Sequence, residues 1–509
     1  MWLAACFPVL TTGLARYFVC LEDEFLILQV LSGYPNVTSE RPALHRVFWA
    51  CVALGFALRL LILWETRALP ATIVDEQQYS QLAANILAGH GFAWRPGDLT
   101  SIRPPLYPAL LAGIWWLAGS NSLQAVRLVQ IFVALATAGL VYILGKRLYS
   151  DRVGRLAAAI TWVYPSLIFF NYLVLTEALF TLLLIAFILA TVLTVQTGRV
   201  WPAVLCGVSL GLAALTRSIL WPLPLILCPL LAYLIPGSLA RRASLPIVVL
   251  ACYTLIVGPW AIRNTRLQGV ITIVDTMGGI NLRMGNYEYT PDDRMWDAVS
   301  QTTGEKSWIR GLTTDPPGLP ITEGRKEKWA QRKAIEYMRS HPLNTLRRSL
   351  IKFADFWGLE REFIAGIQQG LFAPPMWFGI LASALIVAGY VLVVVTGVAG
   401  LWLTPPADRA SHILLVLPMV VIVGVHTVVF GHSRYHVPLM PLLAVYAAAF
   451  MTSHRGVAWT ALGLDLRSRQ LPLSLIGATL SVTALLFIWV RQVAFVDLGR
   501  ISALMQHVG

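Results

Sequence analysis

The stretch Val74 to Pro108, VDEQQYSQLAANILAGHGFAWRPGDLTSIRPPLYP, decides how the rest of the chain is read. It is the only long polar interval in the first third of the sequence, and it follows the first convincing apolar span. Adjacent carboxylates, Asp75 and Glu76, open a helical pattern whose apolar face is Leu82, Ile86 and Leu87, and Gly89 and Gly91 end it. Arg103 then precedes a Pro-Pro pair and a short apolar helix. A solvated loop with a capped surface helix explains such a stretch in most proteins, so the reading turns on what surrounds it.

The surroundings are apolar. Of 509 residues, 57% are hydrophobic and 13% charged, with mean hydropathy +0.67. A soluble protein of this size would have a far more polar surface. Repeated apolar runs of roughly 20 residues make this an all-α polytopic membrane protein. The net charge of +13 sits partly in short loops, which makes anionic membrane lipid its partner and excludes a nucleic-acid reading. Cys6, Cys20, Cys51, Cys206, Cys228 and Cys252 lie in or beside apolar runs without metal spacing, and are read as packing residues.

Span length and loop charge give about 11 transmembrane helices, near 44–64, 122–145, 156–170, 178–196, 201–216, 219–235, 245–260, 376–402, 412–430, 437–452 and 471–490. The helix Leu106–Leu117 is too short to cross and is read as re-entrant or interfacial. Residues 1–43 form an N-terminal extension. Residues 44–260 form a membrane module whose first outer loop is 65–121, and 371–509 supply the C-terminal membrane helices. The long polar segment 261–370 is placed outside. It opens on a strand-like run, Val270 to Val274, and ends in a basic amphipathic pattern, Glu323 to Trp357, lying on the membrane surface. Arg59, near the outer end of the first span, is read as snorkelling.

This topology, drawn without reference to chemistry, places Asp75, Glu76, Arg103, Glu177, Arg217, Arg263, Arg434 and His436 on one side. Singly each has a plain explanation: a snorkelling anchor for Arg217, a helix-dipole charge for Glu177, a lipid contact for Arg434. Together they suit an anionic ligand held beside a carboxylate, because ionisable groups at membrane depth are costly unless paired or liganded. Arginine presents a planar fork to phosphate and keeps its charge. A phosphate at that surface is most simply a lipid head group, and a nearby carboxylate could take a proton from an attacking hydroxyl. A sugar linked to a lipid phosphate fits both, and its departing phosphate needs no general acid.

At these residues the chain resembles the GT-C fold glycosyltransferases. The run Asp75-Glu76 with Tyr79, then Arg103-Pro-Pro-Leu-Tyr-Pro108, is similar to their first outer loop. Further similarities follow in order: Tyr164-Pro165, Leu175-Thr176-Glu177-Ala178, Gly211 to Arg217, Pro259 to Asn264, Asn281 to Asn286, His341-Pro342, and Arg434-Tyr-His-Val-Pro438 with Pro441. They cover roughly 44–450, and the group they resemble most is that of protein O-mannosyltransferases and lipid A aminoarabinose transferases (glycosyltransferase families 39 and 83).

The resemblance implies a polyprenyl-phosphate sugar donor, undecaprenyl-linked in a bacterial inner membrane. It implies an inverting displacement on the extracytoplasmic (periplasmic) face, with outer-face juxtamembrane helices and one long extracytoplasmic loop. It implies Asp75 as base, with Glu76 and Glu177 as further acids, and Tyr79, Arg103, Tyr107, Arg217, Arg263, Asn264, Arg434 and His436 as substrate-binding residues. A divalent cation (Mg or Mn) on Asp75 and Glu177 stays open, as does the acceptor: glycan, lipid or protein. Arg103 stands where the aminoarabinose transferases usually carry Lys. Two other readings remain, a transporter or flippase of lipid-linked glycans and a non-catalytic polyprenyl-phosphate-binding relative.

Overall fold

A computed structural model of the chain describes residues 42–292, 295, 297–371, 373–453 and 472–497. Two compact units divide the chain, 1–49 and 50–509, and of the first only the opening turns of helix α1 are described. The rest of the expected N-terminal extension, the turn at His454-Arg455 and the last twelve residues lie outside the described part.

The fold is helical, with one two-stranded antiparallel hairpin among the described residues. In chain order the elements are α1 (Pro42–Glu65), α2 (Val74–Leu87), β1 (Ala93–Arg95), β2 (Asp98–Leu99), α3 (Leu106–Ala118), α4 (Leu123–Leu148), α5 (Asp151–Val163), α6 (Pro165–Phe170), α7 (Glu177–Thr197), α8 (Val200–Thr216), α9 (Pro224–Leu234) and α10 (Leu239–Gln268). Then come α11 (Gly278–Gly285), α12 (Asp297–Ser300), α13 (Glu323–Ser340), α14 (Pro342–Phe356), α15 (Glu362–Gln368), α16 (Met376–Leu403), α17 (Arg409–Val428), a 3-10 turn (Ser433–Leu439) running into α18 (Met440–Thr452), and α19 (Leu473–Arg491).

Eight segments of the described chain are long and apolar enough to cross a membrane: seven on α1, α4, α7, α10, α16, α17 and α19, and one spanning Ser433–Thr452. The other three expected spans are shorter or broken. Residues 156–170 are split between α5 and α6 by Pro165, whose ring cannot continue a helix and instead starts the next one. Residues 201–216 fall on the 17-residue α8, and 219–235 on the 11-residue α9, which begins only at Pro224.

Two other expectations are corrected. Val270 to Val274 is not a strand, because its polar groups pair with side chains of α10 and not with another strand. The Val274 carbonyl accepts from Trp260 Nε1 (2.8 Å) and Asn264 Nδ2 (2.9 Å), and the Thr272 amide donates to Thr265 Oγ1. Arg59 does not snorkel. It is buried, donates to Asn171 Oδ1 (3.1 Å) and the Trp162 carbonyl (2.8 Å), and lies 3.8 Å over the Trp162 ring. The amphipathic pattern of 323–357 is broken at Pro342 into two helices.

Two spans form the centre. α7 and the Ser433–Thr452 segment are 72% and 78% buried, whereas the other six are 11–39% buried. Small residues let backbones approach closely around them. A Cβ on Gly397 or Gly400 of α16 would sit 2.8 or 2.2 Å from carbonyl oxygens of Leu443 or Tyr446 on α18. In the α4–α5 hairpin, a Cβ on Gly154 would lie 2.5 Å from the Tyr142 carbonyl. Replacing Gly154 by Leu should therefore force the hairpin apart and cost about 1–3 kcal/mol. Thermal unfolding in detergent measures this, and an unchanged midpoint would contradict the packing described.

Candidate active site

The ends of the two central spans carry the charges singled out in the sequence. Glu177 is the first residue of α7 and is completely buried. Its position is fixed from the turn before it. Arg127 of α4 donates to the carbonyls of Tyr172, Thr66 and Leu69 at 3.0, 2.7 and 2.8 Å. Gln130, one turn along, donates to the carbonyls of Asn171 and Leu173 and accepts from the Tyr107 hydroxyl (2.8 Å). A turn held by three such bonds, at Asn171, Tyr172 and Leu173, sets where α7 begins, and so where the Glu177 carboxylate stands.

Asp75 arrives on the first turn of α2 and Arg103 from the turn before α3. Arg103 donates to Asp75 Oδ1 (2.6 Å) and to Gln78 Oε1 through Nε (2.9 Å) and Nη2 (2.6 Å). Arg434, on the 3-10 turn, donates from Nε to Glu177 Oε1 and from Nη1 to Asp75 Oδ2 (3.0 Å). Arg217, following α8, lies 3.6 Å from Glu177 Oε1, with its guanidinium 5.2 Å from the centre of the Tyr435 ring. Five residues from five parts of the chain thus form one ion-pair network, Arg103–Asp75–Arg434–Glu177–Arg217. Two carboxylates against three guanidinium groups leave a net positive charge. Burial pushes the Asp75 carboxyl up, but Arg103 and Arg434 outweigh it and hold the group at about 2. Glu177 Oε2 is buried without a hydrogen-bond donor.

The remaining sequence candidates do other work. Glu76 is buried and turned away from the network. Its carboxylate accepts from the amides of Thr72 and Ile73 at 3.1 Å and Val174 at 2.7 Å, capping α2 and tying it to the turn before α7. Arg263 braces the loop between α2 and α3, donating to the carbonyls of Thr100 (2.6 Å) and Phe92 (3.2 Å). Asn264 is buried and bonds Ser101 and the Val274 carbonyl. Tyr107 is buried under Tyr79, and Tyr79 lies 5.4 Å beneath the Arg103 guanidinium. His436 is fully buried and holds Glu360 Oε1 (3.1 Å) and the Phe356 carbonyl, facing away from the network. Glu76, Arg263, Asn264, Tyr107 and His436 thus each have protein partners away from the network. The structure assembles Asp75, Arg103, Glu177, Arg217 and Arg434, with Tyr79 beneath.

Three residues escaped the sequence reading. Gln78 lies one turn after Asp75 on the same face, a spacing that was legible. Asp275 is within electrostatic reach of Arg103, and burial raises its carboxyl to about 6 against the opposing Ser218 hydroxyl and Met277 amide. Its only signal was an acid just ahead of Gly278-Gly279. Glu360, which also accepts from Tyr164 (2.9 Å) and Ser166, had none.

A divalent cation does not fit these residues as they stand. Such an ion needs several oxygen ligands, and the Arg434 guanidinium already bridges Asp75 to Glu177. No group of three or more His, Cys, Asp or Glu converges among the described residues.

Residues 102–262 match the family model described as dolichyl-phosphate-mannose-protein mannosyltransferase. Over 233 residues the chain is 28% identical to an undecaprenyl phosphate-alpha-4-amino-4-deoxy-L-arabinose arabinosyl transferase of Erwinia tasmaniensis. That match covers 42% of this chain and 40% of the relative, so the chain spans about two fifths of the curated protein it matches. These findings bear out the resemblance read from the sequence. Among solved structures, the oligosaccharyltransferase of Archaeoglobus fulgidus in its apo form aligns with TM-score 0.47 at 14% identity, over 87% of this chain and 55% of that one. ArnT from Cupriavidus metallidurans bound to undecaprenyl phosphate aligns with TM-score 0.37 at 13% identity, over 79% and 77%.

The division of labour between the adjacent acids is testable without substrate. Glu76→Gln places an NH2 group against amide donors and should cost about 1–3 kcal/mol of stability. Asp75→Asn should cost less, because Asp75 is part exposed and Arg103 keeps Gln78. Equal losses in detergent melting would show that Glu76 is not the support described.

Proposed function

We propose that this chain is an integral membrane inverting glycosyltransferase, moving a sugar from a polyprenyl-phosphate donor to an acceptor on the extracytoplasmic face of a bacterial inner membrane. The observation that carries the reading is the Arg103–Asp75–Arg434–Glu177–Arg217 network. It offers three guanidinium groups to a phosphate beside a positioned carboxylate, at the ends of the two most enclosed spans. A transporter would more commonly place ionisable groups at interrupted helices near the bilayer midplane. The segment 261–370 is then the extracytoplasmic loop, 44–260 the membrane module and 371–509 the closing helices. The named relative, a transferase acting with undecaprenyl phosphate, agrees with this donor class.

In the proposed step the acceptor oxygen attacks the anomeric carbon as the bond to the phosphate oxygen breaks, and the electron pair leaves with the phosphate. Asp75 takes the acceptor's proton. In the free site Asp75 is a weak base, since two arginines hold it at about 2. A donor phosphate would compete for the same guanidinium groups and loosen their hold, so binding the donor raises the basicity of Asp75. The arginines stabilise the departing phosphate, which leaves as a stable anion and needs no general acid.

Purified protein with a polyprenyl-phosphate sugar pool tests this. Asp75→Asn should lower turnover about 10²–10⁴-fold while undecaprenyl-phosphate binding persists. Near-native turnover in that variant would remove Asp75 as base. Arg217→Ala or Arg434→Ala should weaken undecaprenyl-phosphate binding about tenfold or more, from the loss of a charge-assisted bond worth roughly 1.5–3 kcal/mol. Arg263→Ala should lower the melting temperature and not the affinity. Unchanged affinity in both Arg217 and Arg434 variants would end the phosphate reading. In intact spheroplasts, Asp98→Cys should react with an impermeant thiol reagent and Asp151→Cys should not; the reverse would put the site in the cytoplasm.

A further inference from the structure

Helix α14 has its polarity inverted. Leu343, Leu346 and Leu350 lie along one face at helical spacing, 81, 59 and 63% exposed. The opposite face is buried and carries Arg348 and Lys352, followed by Phe356. Arg348 donates to the carbonyls of Tyr287 (2.5 Å) and Thr290 (3.1 Å), and Lys352 to Asn286 Oδ1 (2.9 Å) and the Val428 carbonyl (2.8 Å). All of these acceptors are neutral. Burial, with Arg348 adding to it, pushes the Lys352 ammonium down to about 7. In water this arrangement is unfavourable on both faces, with leucines hydrated and cations desolvated. It becomes favourable if the leucine face meets hydrocarbon.

That face borders an open groove of about 500 Å³. Ile335 and Met338 from α13, Pro342 and Leu346 from α14, and Val428 line it. Val428 is the last residue of a candidate span, so the groove lies where that helix would leave the hydrocarbon. Exposed Arg339 stands at the rim. Its neighbours Arg332, Lys333 and Arg347 pair with Asp315, Glu336 and Asp292, whereas Arg339 has no carboxylate partner among the described residues. An unpaired cation at the mouth of an apolar groove, level with the end of a span, complements a lipid with an anionic head.

We propose that the groove between α13, α14 and the end of α17 seats an acyl chain of an anionic phospholipid whose phosphate is held by Arg339. This goes beyond the glycosyltransferase reading and does not depend on it, because the test needs no turnover. The full chain, carrying p-benzoyl-phenylalanine in place of Leu346, is reconstituted in phosphatidylcholine vesicles containing a minority of phosphatidylglycerol and irradiated. Phosphatidylglycerol should be cross-linked severalfold above its share of the vesicle lipid, and the same probe at Leu343 should give the same result. The probe at Glu336, on the exposed side of α13, should capture no lipid. Arg339→Ala should return the enrichment to the bulk share, and Arg339→Lys should retain it. The proposal is overturned by the absence of lipid adducts at both leucines, by enrichment that survives Arg339→Ala, or by adducts to another protein. Displacement of phosphatidylglycerol by added undecaprenyl phosphate would assign the groove to a prenyl chain and overturn it equally.

Discussion

One guanidinium group holds the site together. Arg434 joins Asp75, 359 residues away in sequence, to Glu177, 257 residues away, and no other residue of the network touches both. Removing charges from water costs several kcal/mol per ion, and the pairing must return most of that. The protein accordingly surrounds the network with supports that are themselves hydrogen-bonded: Arg127 and Gln130 of α4 against the turn before α7, Glu76 in the first turn of α2, and Arg263 with Asn264 of α10 against the loop that delivers Arg103. Most of these buried donors point at backbone carbonyls. These groups fix the loops by bonding backbone atoms and not the charges of the network.

The helical membrane architecture was legible because apolar runs of spanning length admit few alternatives. Membership in the network was legible for residues at the ends of spans, where a charge has no cheap neutral explanation. Direction was only partly legible. Asp75 and Glu76 are neighbours on a helix and diverge by about 100°, so one meets Arg103 and the other caps its own helix. Arg434 and His436 are two residues apart on a 3-10 turn of about three residues per turn, so their side chains also diverge. One reaches Asp75 and the other reaches Glu360. A motif that places residues close in sequence therefore mixes ligand-facing groups with those that hold the motif itself. Val270 to Val274 failed for a related reason: its composition suits a strand, but its polar groups are met by Trp260, Asn264 and Thr265.

The second buried cluster, around Glu360 and His436, shows how the 3-10 turn gets its rigidity. His436 Nδ1 must donate to the Phe356 carbonyl, which cannot donate in return. Its Nε2 contact with Glu360 therefore carries a proton on one partner or the other. Tyr164 and Ser166 complete the carboxylate, and the Tyr390 ring stacks on His436 with centroids 4.7 Å apart. Two residues before His436, Arg434 inherits this fixed backbone. α14 grips the turn again one helical turn earlier, since the Gly431 backbone lies so close to Lys352 that a Cβ there would fall 2.1 Å from the Lys352 carbonyl.

Such fixation matters because a bridging arginine is useful only if it can be shared. A flexible Arg434 would follow an incoming phosphate away from both carboxylates and leave Glu177 buried and uncompensated. An Arg434 held at its backbone can rotate its guanidinium toward a phosphate while remaining within reach of Glu177, and Arg217 stands ready at 3.6 Å to take up that charge. Arg103 is likewise anchored by Gln78, so it need not leave when Asp75 is released. Glu177 thus keeps a second guanidinium and Arg103 a neutral partner when a phosphate displaces their other contacts. In the proposed reaction the carboxylate freed first would be Asp75, which is part exposed, and not Glu177, which is sealed. Under the proposed function, exposure favours Asp75 over Glu177 as the acid that takes the proton.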